Sequence, residues 1–156
     1  EAKGWVSIGP DNVAGRVRAI VFDKFNDGVM YAGSVGGGLF VSVNGGNNWR
    51  EIDFSNGQCF AVSSIAQGED GTIYVGTGEG FYQELFIGQN NRKSGLPGNG
   101  VYKVTTGNAQ WAANLTSDEE KYAYVANNFA SELIPGTQPA TRYDLTNDFS
   151  FVNDLA

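Results

Sequence analysis

The chain of 156 residues contains no histidine at all. That absence removes the imidazole base, the histidine metal ligand and the Ser-His-Asp triad from every mechanism this segment can support alone. A single cysteine, Cys59, excludes an internal disulfide and a cysteine-based zinc site; a lone free thiol of this kind is expected to be buried as a small hydrophobe. Basic residues are scarce, 10 Lys and Arg against 17 Asp and Glu for a net charge of −7, and they are scattered. A phosphate backbone needs a positive surface to release its counterions, so nucleic acid is excluded as a partner. No apolar run approaches the roughly 18 residues of a membrane-spanning helix, and Glu1 is not followed by a signal-peptide core. Either the chain is cytoplasmic or a targeting peptide has been removed; low Lys with abundant Asn and Gly leans towards a secreted bacterial protein.

What the chain does have is glycine, aromatics and alternation. Glycine fills 22 of 156 positions, and 3 Trp, 7 Tyr and 10 Phe give ample material for a core. Charged residues fall to 17%, below the usual quarter or so. Such a balance suits short strands joined by tight turns.

Three segments begin alike: Val17-Arg18-Ala19-Ile20-Val21, Val62-Ser63-Ser64-Ile65-Ala66 and Val152-Asn153-Asp154-Leu155-Ala156. Each alternates as a half-buried strand does. The first two pass through polar turns, 23–28 and 68–71, into Met30-Tyr31-Ala32-Gly33 and Ile73-Tyr74-Val75-Gly76. Third strands follow at Gly38-Leu39-Phe40-Val41-Ser42 and Gly100-Val101-Tyr102-Lys103-Val104, each leading to a tryptophan, Trp49 or Trp111, on a fourth. Four short strands repeating every ~45 residues are the pattern of a propeller blade. The expected fold is all-β: a β-propeller of four-stranded blades with blade 1 at about 16–53, blade 2 at about 60–113, a helical insertion at about 114–148 and the start of blade 3 at 149–156. Two blades and a beginning do not close a ring, so 1–156 reads as the N-terminal part of a longer propeller domain, with 5–8 as an outer strand completing the last blade.

Ser42-Val43-Asn44-Gly45-Gly46-Asn47-Asn48-Trp49 is the turn between third and fourth strands. Gly and Asn supply left-handed conformations, Ser42 and Asn44 can bond the loop's own backbone, and Trp49 can fold back to fill the gap between neighbouring blades. These residues resemble the Asp-box, or BNR, repeat, Ser-x-Asp-x-Gly-x-Thr-Trp: Ser42, Gly46 and Trp49 match, with Asn44 for the Asp and Asn48 for the Thr. In the second copy, 104–111, little but Trp111 is kept. The wider run from Trp5 through Gly15-Arg16-Val17 to Gly36-Gly37-Gly38-Leu39-Phe40 is similar to the opening of secreted BNR-like propellers of Bacteroidetes, often exported by type IX secretion. The resemblance implies an extracellular or outer-membrane-surface setting. Its partners would be the remaining blades, other subunits of a surface complex, or a glycan.

Candidate site residues follow from loop placement, since long loops on a rigid scaffold carry function. Insertions at 78–99 and 113–149 are expected on the face opposite the Ser42–Trp49 turn. In the first, Phe81, Tyr82 and Arg92 can stack on a sugar ring and bond its hydroxyls, or anchor the loop. In the second, Ser117-Asp118-Glu119-Glu120 reads as a capping box, Tyr122, Val125, Ala126, Phe129 and Leu133 as a helical stripe, and Pro135-Gly136 as its stop. Arg16 enters the first strand from the same face and can bind a carboxylate, as sialidase arginines do, or serve in a structural ion pair. Glycoside hydrolysis usually needs two carboxylates about 5–10 Å apart. Similar xyloglucan-cleaving propellers carry an Asp where Val35 stands here, which leaves Glu79 as the best-placed carboxylate. No catalytic residue, metal ligand or cofactor motif emerges. The sequence points to a binding or scaffold module, the alternative being part of a sialidase- or xyloglucanase-like hydrolase whose catalytic groups lie outside this segment.

Overall fold

The computed structural model describes residues 16–81, 94–96 and 98–137. β1 (Val17–Phe22), β2 (Met30–Ser34), β3 (Leu39–Ser42) and β4 (Arg50–Ile52) form an antiparallel sheet in chain order. β5 (Val62–Gln67) and β6 (Ile73–Thr77) open a second sheet, and a short hairpin, β7 (Glu79–Phe81) with β8 (Ser94–Leu96), then departs from it. β9 (Val101–Thr105) returns to pair with β6, and β10 (Ala130–Leu133) is its outer strand, so the order is β10-β9-β6-β5. The described residues are mostly sheet, with one short α-helix, α1 (Asp118–Asn128).

Turn chemistry explains why the strands end where they do. Between β1 and β2 the Asp23 carboxylate accepts from the backbone N–H groups of Phe25 (2.9 Å) and Asn26 (3.1 Å), and Gly28 takes φ +73°. Side-chain oxygens that bond their own backbone two or three residues on hold such a turn without help from a sheet. Its second oxygen accepts from the Tyr31 hydroxyl at 3.2 Å. Full burial, and then the Asp23 charge beside it, push the Tyr31 phenol far above its ordinary value.

The two sheets repeat one another in detail. In the first, Val17 faces Ser34 and Ala19 faces Gly33, leaving Arg18 as an extra residue in a bulge. In the second, Val62 faces Thr77 and Ser64 faces Gly76, with Ser63 as the extra residue. A bulge at one position in both copies re-aims side chains in the same way each time.

Alternation then decides how the sheets pack. Tyr31, Leu39 and Val41 point from the first sheet into a cluster with Ile73, Val75, Tyr102 and Val104 of the second. Each such buried aliphatic or aromatic side chain contributes roughly 1.5–3 kcal/mol. Met30, Ala32, Phe40 and Trp49 form a separate cluster on the other face of the first sheet. Val75 thus faces the neighbouring sheet while its counterpart Ala32 faces away from it, so the contact joins unlike faces of two like sheets. Closest approach falls at Gly33, where an added Cβ would sit 2.4 Å from Val62 Cγ1 and 3.3 Å from Ile65 Cδ1. At the turn end, Asn26 donates to the Ala109 carbonyl (2.7 Å) and accepts from the Ala112 N–H (2.9 Å), while Gln67 accepts from the Lys24 N–H (2.7 Å).

The second sheet departs from the expected outer strand. Trp111 starts a 3-10 turn, Trp111–Asn114, and does not lie on a strand; β10 supplies the fourth strand after α1, so the second sheet runs to Leu133 and not to 113. A missing hydroxyl accounts for this. Where Ser42 accepts the Gly46 N–H, the second copy has Val104, and where Gly46 takes φ +89° it has Asn108. The helix starts at the expected capping box, with Ser117 accepting from the Glu120 N–H at 3.2 Å. It stops earlier than the stripe implied, so Phe129 is its cap and Leu133 belongs to β10, and Pro135-Gly136 follows the strand. Asn127 and Asn128 turn their amides back on the Ala123 and Tyr124 carbonyls (2.8 and 2.9 Å), and the free edge of β9 takes the chain beyond. Because α1 sits between third and fourth strands, it lies at the end of the Ser42–Trp49 turn, opposite the face expected for it. The expected strand at 5–8 and the third repeat at 149–156 lie outside the described residues.

Candidate binding site at the end of the sheets

Arg16 and Glu79, singled out separately in the sequence, meet. Arg16 precedes β1 and is fixed beside the β2–β3 connection by the Val35 N–H, which donates to its carbonyl at 2.9 Å. Glu79 opens β7 after Gly78, whose φ of +88° lets the chain leave β6. The root of that excursion is pinned by Thr77, whose hydroxyl donates to the Gly100 carbonyl (2.6 Å) and accepts from the Asn99 N–H (2.8 Å). Gly98 is required for close approach, since a Cβ there would lie 2.3 Å from the Thr77 carbonyl oxygen. Gly78 N–H in turn donates to the Ala61 carbonyl at 2.8 Å.

Thus held, Glu79 is 1% exposed and takes one guanidinium on each oxygen, Arg16 on Oε2 and Arg18 on Oε1. Arg18 is the group that sequence reading missed. Its signal was present: it follows Arg16 by two positions, which places both on one side of a strand, and the bulge removes its cross-strand partner. Burial by itself raises the Glu79 carboxyl; the hydrogen bonds from Arg16 and Arg18, with their charges, outweigh it and hold the group below the usual carboxylate range. Glu79 is therefore an ionised anchor and a poor proton donor at neutral pH. Arg16 keeps 57% of its side chain in solvent, and Arg18 31%. The arrangement offers positive charge at a fixed place to an anionic group.

The remaining candidates divide. Phe81 lies on β7, while Tyr82 and Arg92 lie outside the described residues. Ser42, Asn44, Gly46 and Trp49 build one compact turn. Ser42 Oγ accepts the Gly46 N–H at 2.9 Å, Asn44 Oδ1 accepts the Asn48 N–H at 3.0 Å, and the Trp49 indole N–H donates to the Gly46 carbonyl at 3.0 Å. Trp49 is buried with Met30, Ala32 and Phe40 on the first sheet's outer face, away from the second sheet. Trp111 is buried too, stacked on Tyr124 with ring centroids 5.4 Å apart. Cys59 is exposed, contrary to expectation, because it lies in the loop between β4 and β5. Among the described residues no cluster of side chains could hold a metal ion, and no helix is long and apolar enough to cross a membrane.

Fold and site together define an all-β chain of two like antiparallel sheets with an arginine pair sharing one buried glutamate at their loop end. No protein-family model, curated protein or solved structure matches it.

Proposed function

We propose that the chain is part of a β-propeller acting as a binding or scaffold module for a protein or glycan partner in a secreted or cell-surface protein, with Arg16 as the group that meets an anionic ligand. The observation that carries this reading is the state of Glu79. A carboxylate that is 1% exposed and held ionised by two arginines does not deliver a proton to a glycosidic oxygen, whereas the solvent-facing guanidinium beside it can pair with a carboxylate. The packing of unlike faces supports the propeller itself. A contact of that kind does not satisfy itself by twofold symmetry; it can repeat from sheet to sheet, as it does around a closed ring. The Ser42–Trp49 turn adds the Asp-box resemblance, with Asn44 in the acidic position.

The experiment is titration calorimetry of the full-length protein with an oligogalacturonate and with a neutral xyloglucan oligosaccharide, alongside a reducing-sugar assay. The reading expects binding of the acidic glycan that weakens about tenfold in Arg16→Ala, the loss of one charged hydrogen bond of roughly 1.5 kcal/mol, without new reducing ends. Release of reducing ends that depends on Glu79 would replace it with a hydrolase.

A further inference from the structure

The outer face of the first sheet is open on one half only. Residues directly opposite each other in a sheet share a face, so Ile20 and Phe22, opposite Ala32 and Met30, lie on the face of Met30, Phe40 and Trp49. Met30, Ala32, Phe40 and Trp49 are 0–3% exposed, yet Ile20 is 49% and Phe22 69% exposed. Large apolar side chains left open beside a closed cluster mark a contact surface.

The second sheet shows what those positions do when the contact is made. By register, Ile20 corresponds to Ile65 and Phe22 to Gln67. Ile65 seats against Gly33 on β2 of the neighbouring sheet, where no side chain obstructs it. Gln67 is 9% exposed and accepts the Lys24 N–H of that sheet's first turn. Phenylalanine at the equivalent position has no acceptor for a backbone N–H and offers apolar surface instead.

We propose that Ile20 and Phe22 receive the second strand of a further sheet of this same repeat, one with glycine opposite Ile20 and an apolar first turn opposite Phe22. This rests on the propeller reading and adds the identity of the partner strand. Its sequence resembles Tyr31-Ala32-Gly33 and Tyr74-Val75-Gly76: an aromatic, a small or branched residue, then glycine.

The test places the photo-crosslinker p-benzoyl-phenylalanine at Phe22, and separately at Tyr74, in the full-length protein, followed by mass spectrometry of the products. Phe22 tolerates the larger ring because most of it is in solvent. Tyr74 corresponds to Tyr31, which faces a neighbouring sheet, so it reports on the ring independently. The expected product joins position 22 to a peptide containing the aromatic-x-glycine strand, and Ile20→Lys abolishes it. A cross-link from position 22 to a sequence lacking that strand, or none while Tyr74 still captures repeat sequence, overturns the proposal and leaves the propeller standing. Capture at neither position overturns both.

Discussion

Asn44 Nδ2 donates to Asp118 Oδ2 at 2.8 Å, so the turn of the first sheet is tied to the first turn of α1, which belongs to the second. An aspartate at this position would serve the turn equally well, because the internal bonds to Ser42 and Asn48 use only the acceptor oxygen. The amide nitrogen is the added feature. Around it, the Tyr122 hydroxyl donates to the Asn48 carbonyl at 2.8 Å, Arg50 pairs with Glu119 at 2.6 Å, and the Arg50 guanidinium lies 4.0 Å from the Tyr122 ring centroid. The departure from the Asp-box pattern thus has a physical reason: α1 presents Asp118, Glu119 and Glu120, and a carboxylate at position 44 would repel them.

Asn44→Asp should destabilise the chain by about 1 kcal/mol, the size of one lost hydrogen bond with added repulsion at a partly exposed site. Adding Asp118→Asn restores a donor–acceptor pair and should recover most of the loss. Chemical denaturation of the two single variants and the double variant gives the coupling. Simple additivity would show that the contact contributes nothing.

Glu79→Gln should cost about 2–4 kcal/mol, at or below the usual penalty for breaking a buried ion pair because both arginines are partly solvated. The acid limb of stability should change with it. Since the folded carboxyl titrates below its ordinary 4.5, its stabilisation is complete above that value and is lost as pH falls through the lower folded value. Thermal melts between pH 3 and 7 should therefore show a steeper acid decline in the native chain than in the variant.

Trp49→Ala should cost about 3–5 kcal/mol, as large-to-small changes at 3% exposure do. Trp49→Phe keeps most of the burial but loses the bond to the Gly46 carbonyl, so it should fall well short of that cost. Equal losses would mean that the turn, and not the packing, is what Trp49 holds.

Gly33→Ala should destabilise by about 1–3 kcal/mol, because its Cβ would meet Val62 within 2.4 Å. Val62→Ala in the same chain should relieve the strain, so that the double variant is more stable than the two single effects added together predict. Urea denaturation of all three variants reads this directly.

The sheets were legible because their signals are local. Period-2 alternation, the Tyr31-Ala32-Gly33 and Tyr74-Val75-Gly76 pairs and the glycine-marked turns each act over a few residues, and β1 to β6 and β9 fall where those signals put them. The strand expected at Trp111 was not legible because one hydroxyl decides it: Val104 looks like a strand residue in either case, and only the loss of Ser42's acceptor role reveals that the turn cannot form. The face carrying α1 followed from that error. At the site, Arg16 and Glu79 were found by position at strand ends, but their pairing joins residues 63 apart, beyond any local pattern. For Arg18 the two-residue spacing from Arg16 was visible in the sequence, but the bulge that frees it from cross-strand pairing is a property of the partner strand. Cys59 was misjudged from general habit, since composition carries no information on which loop a thiol occupies.

The account turns on the protonation state of Glu79. A carboxyl carbon NMR titration of selectively labelled Glu79, with Arg18→Ala as the control, measures it directly. The account predicts a midpoint below the ordinary carboxylate value, moving upward in the Arg18 variant. A midpoint above that value in the native chain, as a proton-donating acid would show, would contradict it.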